Sequence, residues 1–298
     1  MRLTGIIPPL LTQFTEEGAV DHDRIRMLVS FLKPYVQGFF VCGTYGSGPL
    51  MRVEERMQVL ETVAADLDET HQLVVHVGAA SQRDCLSLAE HAARNGAQAV
   101  SAVPPYYFRY DDEALFEYYR LLIEASPLPV YVYDNPGTTG NPVSPELVDR
   151  LAQIGLNGVK DSSFDINKTY AFIRKVGKPG FDVAIGSESL LLPAFAMGVQ
   201  ACISGLANVL PELMQQLYEA ARAADMRAAS QLQAQVLKMW DILHYGPSIP
   251  TAFAMLRVRG FDAGFPRRPM LPLRKDIYGK VERAMQETRA LWDLRGRP

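Results

Sequence analysis

The sequence predicts an α/β fold, a (β/α)8 TIM barrel with a small C-terminal three-helix extension. Three observations lead there. Eight short apolar runs alternate with segments of helical periodicity, and such strands belong to parallel sheets covered on both faces by helices. The eight units occupy about 220 residues, which suits a closed barrel better than an open doubly wound sheet. The rival, a dinucleotide-binding sheet, needs G-x-G-x-x-G after its first strand. The glycines at 43–48 have another spacing, and no acid ends the next strand.

Ile6 and Ile7 form the first strand, closed by Pro8-Pro9 and followed by a polar loop over 15–18. Asp21 starts a helix carrying Ile25, Leu28, Val29 and Leu32 at helical spacing. The second strand, 38–42, leads into Gly43-Thr44-Tyr45-Gly46-Ser47-Gly48-Pro49 and a helix over 53–67. The third, 73–77, ends in Gly78, with a helix over 83–95 stopped by Gly96. The fourth, 99–103, ends in Pro104-Pro105-Tyr106-Tyr107 and precedes a helix over 112–125. The fifth ends at Tyr133, before a Pro/Gly turn and a helix opened by Pro145. The sixth, 156–159, carries Lys160 at its C-terminal lip, with a helix over 166–176. The seventh, 181–185, is closed by Gly186-Ser187-Glu188 and followed by a helix that ends at Gly198. The eighth, 201–204, precedes a helix opened by Pro211. No strand follows. Helices over 224–243, 249–258 and 274–294 form the extension, so residues 1–224 are the expected catalytic barrel and 225–298 the helical part.

Composition narrows the function. The chain has 298 residues, 48% of them hydrophobic, and its 30 basic and 33 acidic side chains leave a formal charge of −3. That is enough for a substantial core and gives no reason to expect nucleic acid or an anionic membrane as partner. Cys42, Cys85 and Cys202 are widely spaced with no C-x-x-C, and Cys42 and Cys202 sit in apolar runs as buried fillers. No apolar stretch reaches membrane-spanning length and the N-terminus lacks a signal-peptide core, which predicts a cytoplasmic protein.

In barrels of this kind the chemistry sits at the C-terminal strand ends. Those ends gather Thr44, Tyr45, Tyr106, Tyr107, Tyr133, Lys160, Gly186 and Ser204. The set holds one lysine, several hydroxyls and no histidine–carboxylate cluster, which is poor ligation for catalytic zinc. Burial would lower the pKa of Lys160 and make its amine a nucleophile toward a carbonyl. Tyr133, at the end of the preceding strand, would then be its acid/base partner. The bland alternative is a lysine that snorkels out of the strand end or pairs with Asp161. His76 reads as a satisfied core or rim histidine. The turn Gly43-Thr44-Tyr45-Gly46 offers consecutive N–H groups for a carboxylate, as any tight two-glycine turn does. Tyr106-Tyr107 alone would be surface loop or interface packing.

Together these residues carry a resemblance. Gly43-Thr44-x-Gly46, Pro105-Tyr106-Tyr107, Tyr133-x-x-Pro136-x-x-Thr139-Gly140 and Gly158-Val159-Lys160-Asp161 stand in order at strand ends. The chain resembles, over nearly its whole length, the dihydrodipicolinate synthase/N-acetylneuraminate lyase family of pyruvate-dependent class I aldolases. Residues 43–49 and 261–269 are most similar to the archaeal 2-keto-3-deoxygluconate aldolases. The resemblance implies that Lys160 forms an imine with the ketone of pyruvate or another 2-oxo acid, so no separate cofactor is needed. It implies that Tyr133 is the acid/base group, relayed through Thr44 and a Tyr107 from a neighbouring subunit. It also implies that the N–H groups of Thr44 and Tyr45 hold the carboxylate, that Gly186 and Ile203 line the site, and that the assembly is a homotetramer (dimer of dimers) or a dimer.

Two positions depart from the synthases of that family. Thr138 stands where they carry the arginine that binds aspartate semialdehyde, and Tyr45 where they carry a second threonine. The expected reaction is therefore cleavage of a 2-keto-3-deoxygluconate-type sugar acid to pyruvate and an aldehyde. The hydroxyls of Thr138, Thr139, Ser162 and Ser163 are expected to meet the hydroxyls of that substrate. The alternatives are 4-hydroxy-tetrahydrodipicolinate synthase itself, a sugar-acid dehydratase, a non-catalytic binder of 2-oxo acids, and a flavin- or phosphate-binding barrel. No Gly-rich phosphate loop follows strands seven and eight, which disfavours the last.

Overall fold

Polar residues cap six of the helices, the predicted Asp21 among them. The side chains of Asp21, Ser81, Asp111, Ser144, Asp165 and Asp225 each accept a hydrogen bond from an N–H in the first helical turn, satisfying donors that the helix itself leaves free. A computed structural model describes residues 2–292.

The strands are β1 Gly5–Ile6, β2 Gly38–Val41, β3 Gln72–His76, β4 Ala99–Ala102, β5 Val130–Asp134, β6 Gly158–Asp161, β7 Asp182–Ile185 and β8 Ala201–Cys202. The helices between them are α1 His22–Leu32, α2 Val53–Ala65, α3 Gln82–Arg94, α4 Asp112–Ala125, α5 Pro136–Thr139, α6 Pro145–Gln153, α7 Ile166–Lys175, α8 Leu191–Ala196 and α9 Pro211–Arg222. Every paired strand is parallel, in the order β1-β8-β7-β6-β5-β4-β3-β2. The remaining seam, between β1 and β2, is closed just past β1. There the Phe40 N–H donates to Pro8 O (3.0 Å) and the Leu10 N–H to Phe40 O (2.9 Å). The fold is a (β/α)8 barrel.

Successive strand residues face opposite sides. Ile7, Phe40, Val74, Ala99, Tyr131, Ala184 and Ala201 fill the barrel interior, while a larger apolar layer lies between strands and helices. The floor is tied shut by Asp182, whose Oδ2 accepts from the Leu3 N–H (2.7 Å) and the Tyr131 hydroxyl (2.9 Å).

Three helices follow the barrel: α10 Met226–Leu243, α11 Ser248–Val258 and α12 Lys275–Glu287. Gln233 of α10 docks the first of them. It donates to Glu188 O (3.0 Å) and accepts from the Leu192 N–H (3.0 Å), and Ser248 at the start of α11 lies at the barrel mouth.

The differences from the predicted elements are local. The Pro/Gly turn after β5 contains the one-turn helix α5. The sixth strand runs past residue 159 because the main chains of Lys160 and Asp161 pair with both neighbours whatever their side chains. The last predicted helix stops at Glu287 and is followed by a 3-10 turn, Arg289–Leu291; residues 293–294 of that prediction lie outside the described residues.

Candidate active site

The β5–β6 register places the candidate pair. Tyr133 is directly opposite Lys160, and Asp134 is opposite Asp161. The first pair therefore points into the barrel and the second outward. Asp161 accepts from the Ser163 N–H (2.9 Å) and the Thr169 hydroxyl (2.6 Å), and Asp134 pairs with Lys168 (2.5 Å). This excludes the reading in which Lys160 pairs with Asp161: adjacent strand residues cannot meet. Nor does Lys160 snorkel, being 2% exposed.

The Lys160 ammonium lies over two aromatic faces, 3.7 Å from the Tyr133 ring centroid and 4.4 Å from that of Phe40. Such contacts soften the burial of a charge but do not replace a carboxylate. Burial pulls the Lys160 pKa below the ordinary lysine value, and nearby Tyr133 only partly opposes the shift. For Tyr133, burial pushes the phenol up, but the Lys160 charge and the Thr44 hydroxyl outweigh it, so the pKa falls below that of an ordinary tyrosine. An amine with a lowered pKa thus sits beside a phenol with a lowered pKa.

The Tyr133 hydroxyl is wired to its surroundings. It lies 3.2 Å from Thr44 Oγ1 and accepts from Asn135 Nδ2 (3.1 Å), which also reaches Thr44 Oγ1 (3.4 Å). Its ring is held edge-on by Phe40 and His76, with centroids 5.8 and 5.9 Å away. His76 is the satisfied histidine expected. Its Nδ1 lies 3.1 Å from Cys42 O and its Nε2 accepts from the Val103 N–H (3.3 Å), and burial keeps it neutral.

Thr44 is presented by a tight turn in which the Ser47 N–H bonds Thr44 O and the Gly48 N–H bonds Gly43 O, both at 3.0 Å. A Cβ at Gly48 would stand 1.9 Å from Cys42 O, so only glycine lets the turn close. The N–H groups of Thr44 and Tyr45 bond no other described residue.

Lys160, Tyr133, Thr44, Tyr45, Thr138, Gly186 and Ile203 all line one cavity of about 150 Å³. The cavity thus brings together Lys160, Tyr133 and Thr44 of the predicted catalytic residues. Tyr107 is the exception. It is 88% exposed, has a left-handed backbone (φ +86°) and stacks edge-on against Phe108, outside the cavity.

The hydroxyl-rich loop is corrected. The Thr139 hydroxyl is spent on Asn135 O and Asn141 O (3.1 and 3.3 Å), and Ser163 Oγ accepts from the Asp165 N–H (3.3 Å). Thr138 and Ser162 line the cavity, although Thr138 Oγ1 also donates to Asn135 O (3.2 Å). Short polar side chains in turns bond their own backbone first.

The sequence reading missed Asn135, Phe164, Glu188, His244 and Ser248, which complete the wall. Glu188 is buried. Its Oε1 accepts from the Leu206 N–H (2.9 Å), and burial raises its pKa, opposed by that bond. His244 reaches the cavity from the end of α10, its Nδ1 2.7 Å from Trp240 O and its ring 4.1 Å from the Trp240 ring. A Cβ at Gly205 would stand 2.0 Å from the Tyr45 ring, so glycine there makes room for the tyrosine.

Cys42 and Cys202 are buried, and burial pushes their thiols up to about 11 and about 12, out of reactive range. Among the described residues no group of three or more His, Cys, Asp or Glu side chains is placed to hold a metal ion, and no helix is long and apolar enough to cross a membrane.

Comparison with known proteins identifies the family. The model of the dihydrodipicolinate synthetase family matches residues 2–288. An uncharacterized DapA-like lyase of Halobacterium salinarum is 38% identical over 94% of this chain and 92% of its own. The N-acetylneuraminate lyase of Rhizobium meliloti is 34% identical over 90% of each, and the 4-hydroxy-tetrahydrodipicolinate synthase of Archaeoglobus fulgidus 31% identical over 95% and 97%. Among solved structures, YagE of E. coli K12 in complex with pyruvate superposes with a TM-score of 0.92 at 25% identity, over 96% of this chain and 99% of its own. A variant of Sulfolobus solfataricus 2-keto-3-deoxygluconate aldolase gives 0.90 at 25% identity over 96% of each. With the family match spanning the barrel and most of the extension, this chain belongs to the dihydrodipicolinate synthetase family and is an aldolase-lyase of that family.

Proposed function

We propose that this chain is a class I pyruvate-dependent aldolase that cleaves a 2-oxo-3-deoxy sugar acid to pyruvate and an aldehyde. One observation carries the reading: a buried lysine with no carboxylate partner among the described residues lies over the ring of a tyrosine whose hydroxyl is bonded to Thr44 and Asn135. In this reading the neutral Lys160 amine adds to the C2 ketone, and the Tyr133 phenol gives its proton to the departing hydroxyl, so that water leaves, a protonated imine forms and Tyr133 is left as the phenolate. Tyr133, acting as base, takes the C4 hydroxyl proton, the C3–C4 bond breaks, and its electron pair enters the imine as an enamine. The aldehyde departs. Reprotonation at C3 and hydrolysis release pyruvate and free Lys160. The free N–H groups of Thr44 and Tyr45 hold the substrate carboxylate, and Gly186 and Ile203 shape the pocket around it.

The sugar-acid assignment rests on the far wall. Ser162, Glu188, His244 and Ser248 offer donors and acceptors suited to hydroxyls. Thr138 offers one neutral hydroxyl where the synthases are expected to carry an arginine fork. Identity to a synthase (31%) keeps a second reading in view, condensation of pyruvate with aspartate semialdehyde.

Both reactions are to be measured on one preparation. The expected result is a higher kcat/KM for cleaving 2-keto-3-deoxygluconate or a related deoxy sugar acid. Thr138→Arg should move the ratio toward the semialdehyde by on the order of tenfold or more, since an arginine–carboxylate pair is among the stronger polar contacts. An unmodified protein that strongly prefers the semialdehyde would establish the synthase reading instead.

We assign Tyr107 to the site of a neighbouring copy, within a homotetramer built as a dimer of dimers. Two features support this. Tyr107 and Phe108 stand exposed on a strained loop, and an apolar cavity of about 280 Å³ beside Thr44 and Thr138 is large enough for an aromatic side chain. Mixing Tyr107→Phe with Lys160→Ala subunits should then regenerate intact sites. At equal mixing, half of the pairs are mixed and one of their two sites is whole, giving about a quarter of wild-type activity. Verified mixed oligomers without recovery would place Tyr107 outside the mechanism.

A further inference from the structure

Phe164 lies in the short loop between β6 and α7. Its backbone is left-handed, φ +61°, a region in which a bulky side chain is a steric outlier. It is 55% exposed and joins neither apolar cluster of the core. Yet it lines the cavity that holds Lys160 and Tyr133.

A strained backbone persists only where its neighbours over-determine it. Here both sides are pinned. Before Phe164, the carboxylate of Asp161 takes the Ser163 N–H (2.9 Å) and is itself fixed by the Thr169 hydroxyl (2.6 Å). After it, the Asp165 N–H donates to Ser163 Oγ (3.3 Å), and Asp165 caps α7 through the Asn167 N–H (2.9 Å). Phe164 cannot rotate out of its conformation without breaking one of these bonds. Glycine would adopt the same backbone without strain, so the fold itself does not call for a phenyl ring at this position.

We propose that Phe164 is a specificity-determining residue, holding its ring against the C–H face of the substrate portion beyond the bond that is cleaved. This rests on the aldolase reading above. Lys160, almost fully buried, ties down the pyruvyl part, and half-exposed Phe164 meets the fragment nearer the mouth. Glu188, His244 and Ser248 are left to take that fragment's hydroxyls. Asp161, the last residue of β6, becomes the outer buttress that keeps the ring in place.

The test is Phe164→Gly, with Phe164→Tyr as control. Borohydride trapping of pyruvate is expected within twofold of wild type for both, because the imine end is untouched. Condensation of pyruvate with glyceraldehyde should lose about tenfold or more in kcat/KM in the glycine variant, with a smaller loss for the shorter glycolaldehyde. Phe164→Tyr should stay within about threefold, since the ring face is kept. The glycine variant should melt at or above wild type, as strain is relieved, with its oligomeric state unchanged. Wild-type kcat/KM in Phe164→Gly for both aldehydes would overturn the assignment, and so would a loss equal for both and for trapping. If wild type uses neither hydroxyaldehyde but condenses the semialdehyde, the sugar-acid reading fails. The same variants are then compared on the semialdehyde, so the two failures stay distinct.

Discussion

Alanine at position 160 is expected to lower turnover by on the order of 10⁴-fold or more, because it removes the atom on which the reaction is built. No other described side chain substitutes for it. Lys168, the nearest lysine in sequence, lies on α7 outside the barrel interior and is paired with Asp134. The loss will not come from unfolding. A buried ammonium without a carboxylate costs stability, so Lys160→Met, which keeps the volume, should melt at or above wild type while remaining inactive. An inactive variant that has also lost its fold would say nothing about chemistry. An active Lys160→Met would end the imine mechanism.

Tyr133→Phe is the second large effect. The ring is kept, and with it the packing on Phe40 and His76, but the hydroxyl bonded to Thr44 and Asn135 is gone. Positioned acid/base groups contribute roughly 10²–10⁴-fold, and a loss in that range is expected in kcat, with pyruvate binding largely retained. The pH dependence supplies an independent check. Imine formation needs the neutral amine, so trapping rises as pH passes upward through the Lys160 pKa, already drawn down by burial. Tyr133 is the partner that raises this pKa. Removing its hydroxyl should therefore move the limb to lower pH still. A limb that moves to higher pH, or turnover within twofold of wild type, would remove Tyr133 from the mechanism.

The barrel was legible because most strands are apolar runs stopped by glycine, proline or a polar turn, and many of the helices show their period and a polar or proline start. Lys160 stood out for the same reason, as a charge where an apolar residue belongs. What the sequence could not reveal depends on long-range packing. His244 and Ser248 enter the site from the far side of the chain, where α10 packs on the barrel and Gln233 bonds the turn after β7, contacts without local signature. Glu188 reads as an ordinary loop acid until the fold buries it. Asn135, in a Tyr-Asp-Asn-Pro turn, looks like turn chemistry rather than a bond to the Tyr133 phenol. Thr139 and Ser163 misled in the opposite sense: their hydroxyls suggested substrate contacts but satisfy nearby backbone. Phe164 carried no signal, because its left-handed backbone cannot be read from an aromatic residue in a polar loop.

The most direct test is covalent. The protein is incubated with pyruvate, reduced with borohydride, digested and weighed. A reduced pyruvyl mass is expected on the peptide containing Lys160, and Lys160→Ala should abolish it. Label on Lys168 instead, or an active wild-type enzyme that takes up no label at all, would contradict the account.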